Sequence, residues 1–143
     1  MIRWSTPADP GGVPGSWDYT LASNEAGRTV LAEAGGGILD AAQLRDIMVV
    51  YRENAIWICE PIGGLFVFRF RGVSETAGLF TQRCVGTVKN GDWHFLATQD
   101  DFCVFNGQSI ESVAHSRVRK VFGTIDVRNY HRSFVVVHRR MNE

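Results

Sequence analysis

The sequence predicts a mainly β protein of antiparallel hairpin repeats with one short helix, and three observations lead there. Residues 47–59 (IMVVYRENAIWIC) align without a gap on residues 93–105 (WHFLATQDDFCVF). In both, an apolar run meets a polar turn (Arg52, Glu53, Asn54; then Thr98, Gln99, Asp100, Asp101) and a second apolar run follows. A third copy opens at Phe134 and reaches its turn at the last residues of the sequence. The starts at 47, 93 and 134 are spaced by 46 and 41 residues, the period of β-propeller blades and related all-β repeats. Lastly, Asn90-Gly91 and Asn106-Gly107 are strong hairpin-turn dipeptides. A unit of this kind cannot cover its own apolar face and must stack on copies of itself. The expected fold is therefore a partial β-propeller of blade-like hairpins.

Residues 1–45 are expected to be an irregular arm and connector, and residues 46–143 the β-repeat domain. Pro7, Pro10 and Pro14 fall among Gly11, Gly12 and Gly15, a composition that opposes regular structure. Trp4, Trp17 and Tyr19 lie in this stretch. Large aromatics in a segment without a fold of its own dock on something, which makes these three interaction candidates. Gly35, Gly36 and Gly37 break the chain again, and residues 38–45 (ILDAAQLR) read as one or two helical turns. Residues 47–51 and 55–59 form the first hairpin. Gly63-Gly64 turns into LFVFRFR, where Arg69 and Arg71 alternate with Phe68 and Phe70 to give one wet and one dry face. A strand at 84–88 leads into the second hairpin (93–97 and 102–105), and residues 109–113 pair back. Residues 114–122 (AHSRVRKVF) are the best helix, with Val118, Val121 and Phe122 on one face and Gly123 as its stop. Residues 133–138 begin the last strand.

Fifteen basic residues balance fifteen acidic ones, so overall charge points to neither nucleic acid nor membrane. The balance hides an asymmetry: residues 114–143 carry seven Lys/Arg against two acidic residues, a net of +5, and the remainder is −5. Segregated charge of this size steers assembly between like subunits or attracts an anion, and otherwise is a solvated basic face. The N-terminus has no apolar core of a signal peptide, and no run approaches the roughly 20 apolar residues of a membrane span. Cys59, Cys84 and Cys103 cannot all pair within one chain. They read as buried reduced thiols of a protein made in a cytoplasm, and their spacing suits no zinc site.

Candidate chemistry is sparse. His94 and His138 occupy equivalent strand positions without a second histidine at ligand spacing, so packing or surface roles are favoured for them. Cys84 or Cys103 with His94 would make a conceivable nucleophile–base pair, but a lone Cys and a lone His in strands are common by chance. Asp100, Asp101 and Glu53 fall in hairpin turns, where acidic residues are expected for turn reasons. The run Arg117-Val118-Arg119-Lys120 could meet phosphate or nucleic acid; without interleaved aromatics it reads first as helix surface or subunit salt links. Asn24, Glu25 and Gly27 lack the preceding strand and following Lys-Ser/Thr of a phosphate loop. No catalytic residue, metal ligand or cofactor is expected.

The order of segments carries a resemblance: RWSTPADPGGVPGSWDYTLASNEAGRT, then ILDAAQLRDIMVVYRENAIWICEPIGGLFVFRFR, then DDFCVFNGQSIESV and HSRVRKVF. Together they resemble the propeller-bearing tail nozzle, or tail tubular protein B, of short-tailed bacteriophages. That resemblance implies a virion tail subunit, made in the bacterial cytoplasm, assembling into a ring below portal and adaptor through which DNA leaves. Its implied partners are other copies of itself, the adaptor, other tail subunits and, non-specifically, exiting DNA. It implies no enzyme and no cofactor. Members of that family are several times longer, so a fragment, a prophage remnant or a compact relative is expected. A propeller needs roughly four blades or more, and two blades plus a fragment leave strand edges that companions must satisfy. The alternative is a propeller-like module binding a glycan or protein through Trp17 and Tyr19. Trp4, Trp17, Tyr19, Arg117, Arg119 and Lys120 are the interaction candidates under either reading.

Overall fold

The computed structural model describes residues 1–21, 23–31, 35–64, 67–113, 118–126 and 128–138. The chain divides into two compact units, one formed by Met1–Glu33 with Ile62–Val67, the other by Ala34–Pro61 with Phe68–Glu143.

In the first unit, strands β1 (Ile2–Trp4) and β2 (Gly27–Thr29) form an antiparallel ribbon with Ile2↔Thr29, Arg3↔Arg28 and Trp4↔Gly27 opposed. The Pro/Gly-rich stretch is the loop between them. Thr6 and Ser16 close its neck: Thr6 N–H donates to Ser16 O at 2.9 Å, and Ser16 N–H to Thr6 Oγ1 at 3.0 Å. The Asn24 amide then donates to Ser16 Oγ (3.1 Å) and Asp18 O (2.9 Å). Composition that opposes long strands thus still yields order, because short polar side chains satisfy the backbone groups that a sheet would have used.

The second unit is built from two four-stranded antiparallel meanders. The first runs β3 (Ile38–Leu44), β4 (Ile47–Arg52), β5 (Ile56–Pro61), β6 (Phe68–Ser74); the second β7 (Val85–Val88), β8 (Trp93–Ala97), β9 (Phe102–Phe105), β10 (Ile110–Ser112). A short helix, α1 (Arg119–Thr124), and an extended segment to His138 follow. Among the described residues the fold is mainly β, with three antiparallel sheets and one short α-helix.

The sequence repeat is a structural repeat. In the first meander Met48↔Cys59, Val49↔Ile58, Val50↔Trp57 and Tyr51↔Ile56 are opposed. Adding 46 to each number gives His94↔Phe105, Phe95↔Val104, Leu96↔Cys103 and Ala97↔Phe102, the four pairs observed in the second. Facing is reversed, however. The core takes Val49, Tyr51, Ile56 and Ile58 from the first hairpin; from the second it takes the small Ala97, the equivalent of Tyr51, but otherwise Leu96, Cys103 and Phe105. Those three are the equivalents of Val50, Trp57 and Cys59, which lie on the opposite face of the first sheet because side chains alternate along a strand. The meanders therefore pack back of one to front of the next, not as two matching faces around a two-fold axis.

Several expectations are corrected. Residues 38–44 form strand β3, not helical turns: Leu44 and Ala42 reach the core, and the backbone pairs with β4 from Ile38↔Arg52 to Leu44↔Ile47. Its Ala/Leu/Gln content favours a helix only weakly, and tertiary pairing overrides that preference. The helix begins at Arg119 and carries Gly123 inside; Phe122 turns inward and Val121 outward. Residues 114–117 of the expected helix, and Leu65 and Phe66 of the expected strand, lie outside the described residues. Cys84 and Cys103 are buried, whereas Cys59 is only half-buried on the outward face of its sheet. Residues 133–138 are extended but carry no strand assignment; Val135 N–H donates to Arg83 O at 2.8 Å, and Cys84 Sγ donates to Ser133 O at 3.7 Å.

Candidate functional site

Between the two meanders lies a buried polar relay. Tyr51 on β4 and His94 on β8 are both fully buried, with Tyr51 Oη 2.6 Å from His94 Nδ1. His94 Nε2 sits 2.9 Å from Gln43 O, at the end of β3. A carbonyl only accepts, so Nε2 carries the hydrogen and Nδ1 accepts from the tyrosine hydroxyl. Burial holds the His94 pKa below its ordinary value, and burial pushes that of Tyr51 upward. Arg45 adds a second link. It occupies the two-residue β3–β4 turn at φ 55°, and its guanidinium donates to Asp92 O (3.0 Å) in the β7–β8 turn and to Asn106 O (2.7 Å) in the β9–β10 turn.

This arrangement does not suit catalysis by a Cys–His pair, because both ring nitrogens of His94 already have other partners. Burial pushes the Cys84 and Cys103 thiols upward, away from the reactive thiolate. The acidic residues expected in turns do turn work: Asp101 accepts from its neighbour Phe102 N–H at 2.8 Å and from Ser112 Oγ at 2.6 Å. With Glu53, Asn54, Gln99 and Asp100 it rims a recess of about 440 Å³ where both repeat turns meet. Gln99 Nε2 joins the two turns by donating to Asn54 Oδ1 at 3.0 Å. Among the described residues no three His, Cys, Asp or Glu side chains are placed to hold a metal ion. No helix among them is long and apolar enough to cross a membrane.

The outward face of the second meander is aromatic. Phe95 and Phe102 stack at 5.7 Å; Phe122 of α1 lies 5.1 Å from Phe102, and Phe80 bridges Phe122 (5.8 Å) and Tyr130 (5.7 Å). Val135 and Val137 pack over Gly86 on this same face; a Cβ there would lie 2.5 Å from Val137 Cγ2 and 2.9 Å from Val135 Cγ1. Glycine at 86 makes room for the third repeat copy. Val135 and Val137 are the equivalents of His94 and Leu96, and like them they face the preceding meander. Phe134 and Val136, equivalents of Trp93 and Phe95, point outward with 66% and 76% of their surface exposed. The front-to-back rule thus holds a second time.

The sequence-derived interaction residues are scattered by comparison. Trp4 is half-buried in the first unit: its indole N–H donates to Glu25 O at 2.9 Å and its ring lies on Gly27, where any Cβ would collide. Trp17 remains 54% exposed. Tyr19 is flanked by two guanidinium groups, Arg28 at 4.3 Å and Arg3 at 5.1 Å from its ring centroid. Arg119 opens α1 and Lys120 is exposed on it; Arg117 lies outside the described residues, as do His115, Arg139 and Arg140. Sequence reasoning missed the Tyr51–His94 contact and the Arg3–Tyr19–Arg28 stack. The signal for the first was strand parity, since His94 and Leu96 share a face. Comparison with family models and with curated proteins returned no match for this chain.

Proposed function

We propose that this chain is a structural subunit that assembles by front-to-back stacking of blade-like meanders, as a partial β-propeller, in a bacteriophage or prophage tail. The observation that supports this reading best is the face reversal under the 46-residue shift, repeated at Val135 and Val137. An interface that joins unlike faces leaves a front and a back free at every stage, so it propagates into a ring or stack instead of stopping at two. Here the free front carries Phe134 and Val136. The corresponding back is the outward face of β4 and β5, with Met48, Trp57 and Cys59. Burying each large apolar side chain contributes about 1.5–3 kcal/mol. The tail assignment rests on the segment resemblance, with other copies of the chain, the adaptor and neighbouring tail subunits as partners and exiting DNA as a non-specific contact. Such a role requires no enzymatic chemistry and no cofactor. A glycan- or protein-binding module has narrower support, chiefly the exposed Trp17.

Multi-angle light scattering over a wide concentration range tests the assembly. Growth into a closed ring or longer stack is expected. A well-folded chain that stays monomeric at the highest concentrations would end this reading.

A further inference from the structure

Arg3 and Arg28 stand directly opposite each other on the β1–β2 ribbon, which places both side chains on one face. Like charges in that position repel and destabilise the pair. Among the described residues neither forms an ion pair; the bridges present are Arg45–Asp92 and those of Arg69 and Arg71 with Glu60. The nearest acidic residue in sequence to Tyr19, Asp18, turns its Oδ1 to Thr20, accepting from the backbone N–H at 2.9 Å and the hydroxyl at 2.6 Å, and forms no ion pair with either arginine among the described residues. What holds the two cations together is Tyr19, whose ring takes Arg28 at 4.3 Å and Arg3 at 5.1 Å. Stacking on a ring fixes a guanidinium plane without consuming its N–H donors, which lie in that plane. Arg3 spends one donor on Trp17 O at 3.4 Å and Arg28 makes no side-chain hydrogen bond of its own among the described residues. The result is two guanidinium groups gathered beside one ring, a doubled positive charge and, among the described residues, no ion-pair partner.

We propose that Arg3, Tyr19 and Arg28 form a binding site for a phosphate-type oxyanion, with the two arginines as the charge-assisted donors and Tyr19 as their support. A phosphate group matches the donor geometry of arginine forks and neutralises both charges at once. It lies in the first unit and stands independently of the assembly reading, which concerns the second.

The test is thermal unfolding and tryptophan emission of the full chain titrated with potassium phosphate, against potassium chloride at matched ionic strength. Saturable stabilisation by phosphate alone is expected, because a ligand of the folded state raises its stability. Arg3→Gln and Arg28→Gln should each weaken binding about tenfold or more, the effect of losing one charged hydrogen bond. Tyr19→Phe keeps the ring face and should bind nearly as wild type, whereas Tyr19→Leu should lose binding. Circular dichroism confirms that these surface variants are folded. An oligothymidylate that competes below the phosphate concentration identifies a phosphodiester as the source; weaker competition identifies a free phosphate. Phosphate acting no differently from chloride overturns the site, as does unchanged binding by Arg28→Gln. Light scattering of the same variants keeps this outcome separate from assembly.

Discussion

His94 shows how one residue can tie the two meanders together chemically. Its imidazole is locked between a donor on β4 and an acceptor on β3, in a site where water cannot substitute. Tyr51→Phe removes the hydrogen that Nδ1 accepts, and an unsatisfied buried acceptor costs about 1–3 kcal/mol; chemical denaturation at neutral pH should report a loss in that range. The pair also sets a pH dependence. Burial, with the nearby Arg45 charge adding to it, holds His94 below its ordinary 6.5 in the fold. The unfolded chain therefore binds the proton more readily, and stability rises with pH across the interval. The contribution is complete above about pH 6.5 and is lost as pH falls from there through the folded pKa. Glu60 and the exposed Asp18 and Asp126, all held below the usual carboxylate range by hydrogen bonds, act only at more acidic pH. Denaturation midpoints measured from pH 8 downward should begin to drop near 6.5, and His94→Gln should flatten that first step. A wild-type profile without it would show that the imidazole is not held as described.

At the scale of elements, turns and close approaches decide register, and three glycines separate the causes. Gly78 follows β6 and lies against the carbonyls of Arg52 and Glu53, where a Cβ would collide with backbone that cannot move aside. Gly107, in the β9–β10 turn, combines φ 94° with 3.0 Å from a Cβ to Arg45 Nη2, the far end of a flexible side chain. Gly123 sits inside α1 with open space around it. Alanine at 78 should therefore cost most, several kcal/mol on the scale of core overpacking. At 107 it should cost about 1–2 kcal/mol for left-handed backbone, and at 123 it should stabilise by about 0.5–1 kcal/mol. Thermal midpoints of the three variants check the order. The hairpins were legible in the sequence because turn dipeptides and strand periods are local signals: the alignment of 47–59 on 93–105 reproduces the observed pairing residue for residue. Strand β3 was not legible, since ILDAAQL has helical composition and becomes a strand only by pairing with β4. Arg52 reads as a turn residue, yet it is buried at the end of β4, donating to Gly36 O at 2.7 and 3.0 Å. The Arg3–Tyr19–Arg28 stack was equally hidden, because it depends on a ribbon that joins residues 25 positions apart.

For the whole molecule, the same parity that orders the strands divides the third copy into inward and outward residues. Val135 and Val137 face Gly86, while Phe134 and Val136 face solvent. If front-to-back stacking is the organising rule, the two sets carry different free energies: the inward pair contributes to folding and the outward pair to association. Val137→Asp would place a carboxylate against the second meander, and burying a charge without a partner is strongly unfavourable; unfolding should shift by several kcal/mol. Val136→Asp puts the same charge on the exposed side of the same extended segment, where substitutions typically change stability by no more than about 0.5 kcal/mol. Its effect should appear in assembly, as a rise in the concentration needed for the larger species seen by light scattering. Phe134→Asp should behave likewise and more strongly, having the larger apolar surface to lose. Identical chemistry at adjacent positions thus separates fold from assembly. Were Val136→Asp to destabilise the monomer while Val137→Asp left it intact, the third copy would face the other way and the front-to-back rule would not extend beyond the second meander.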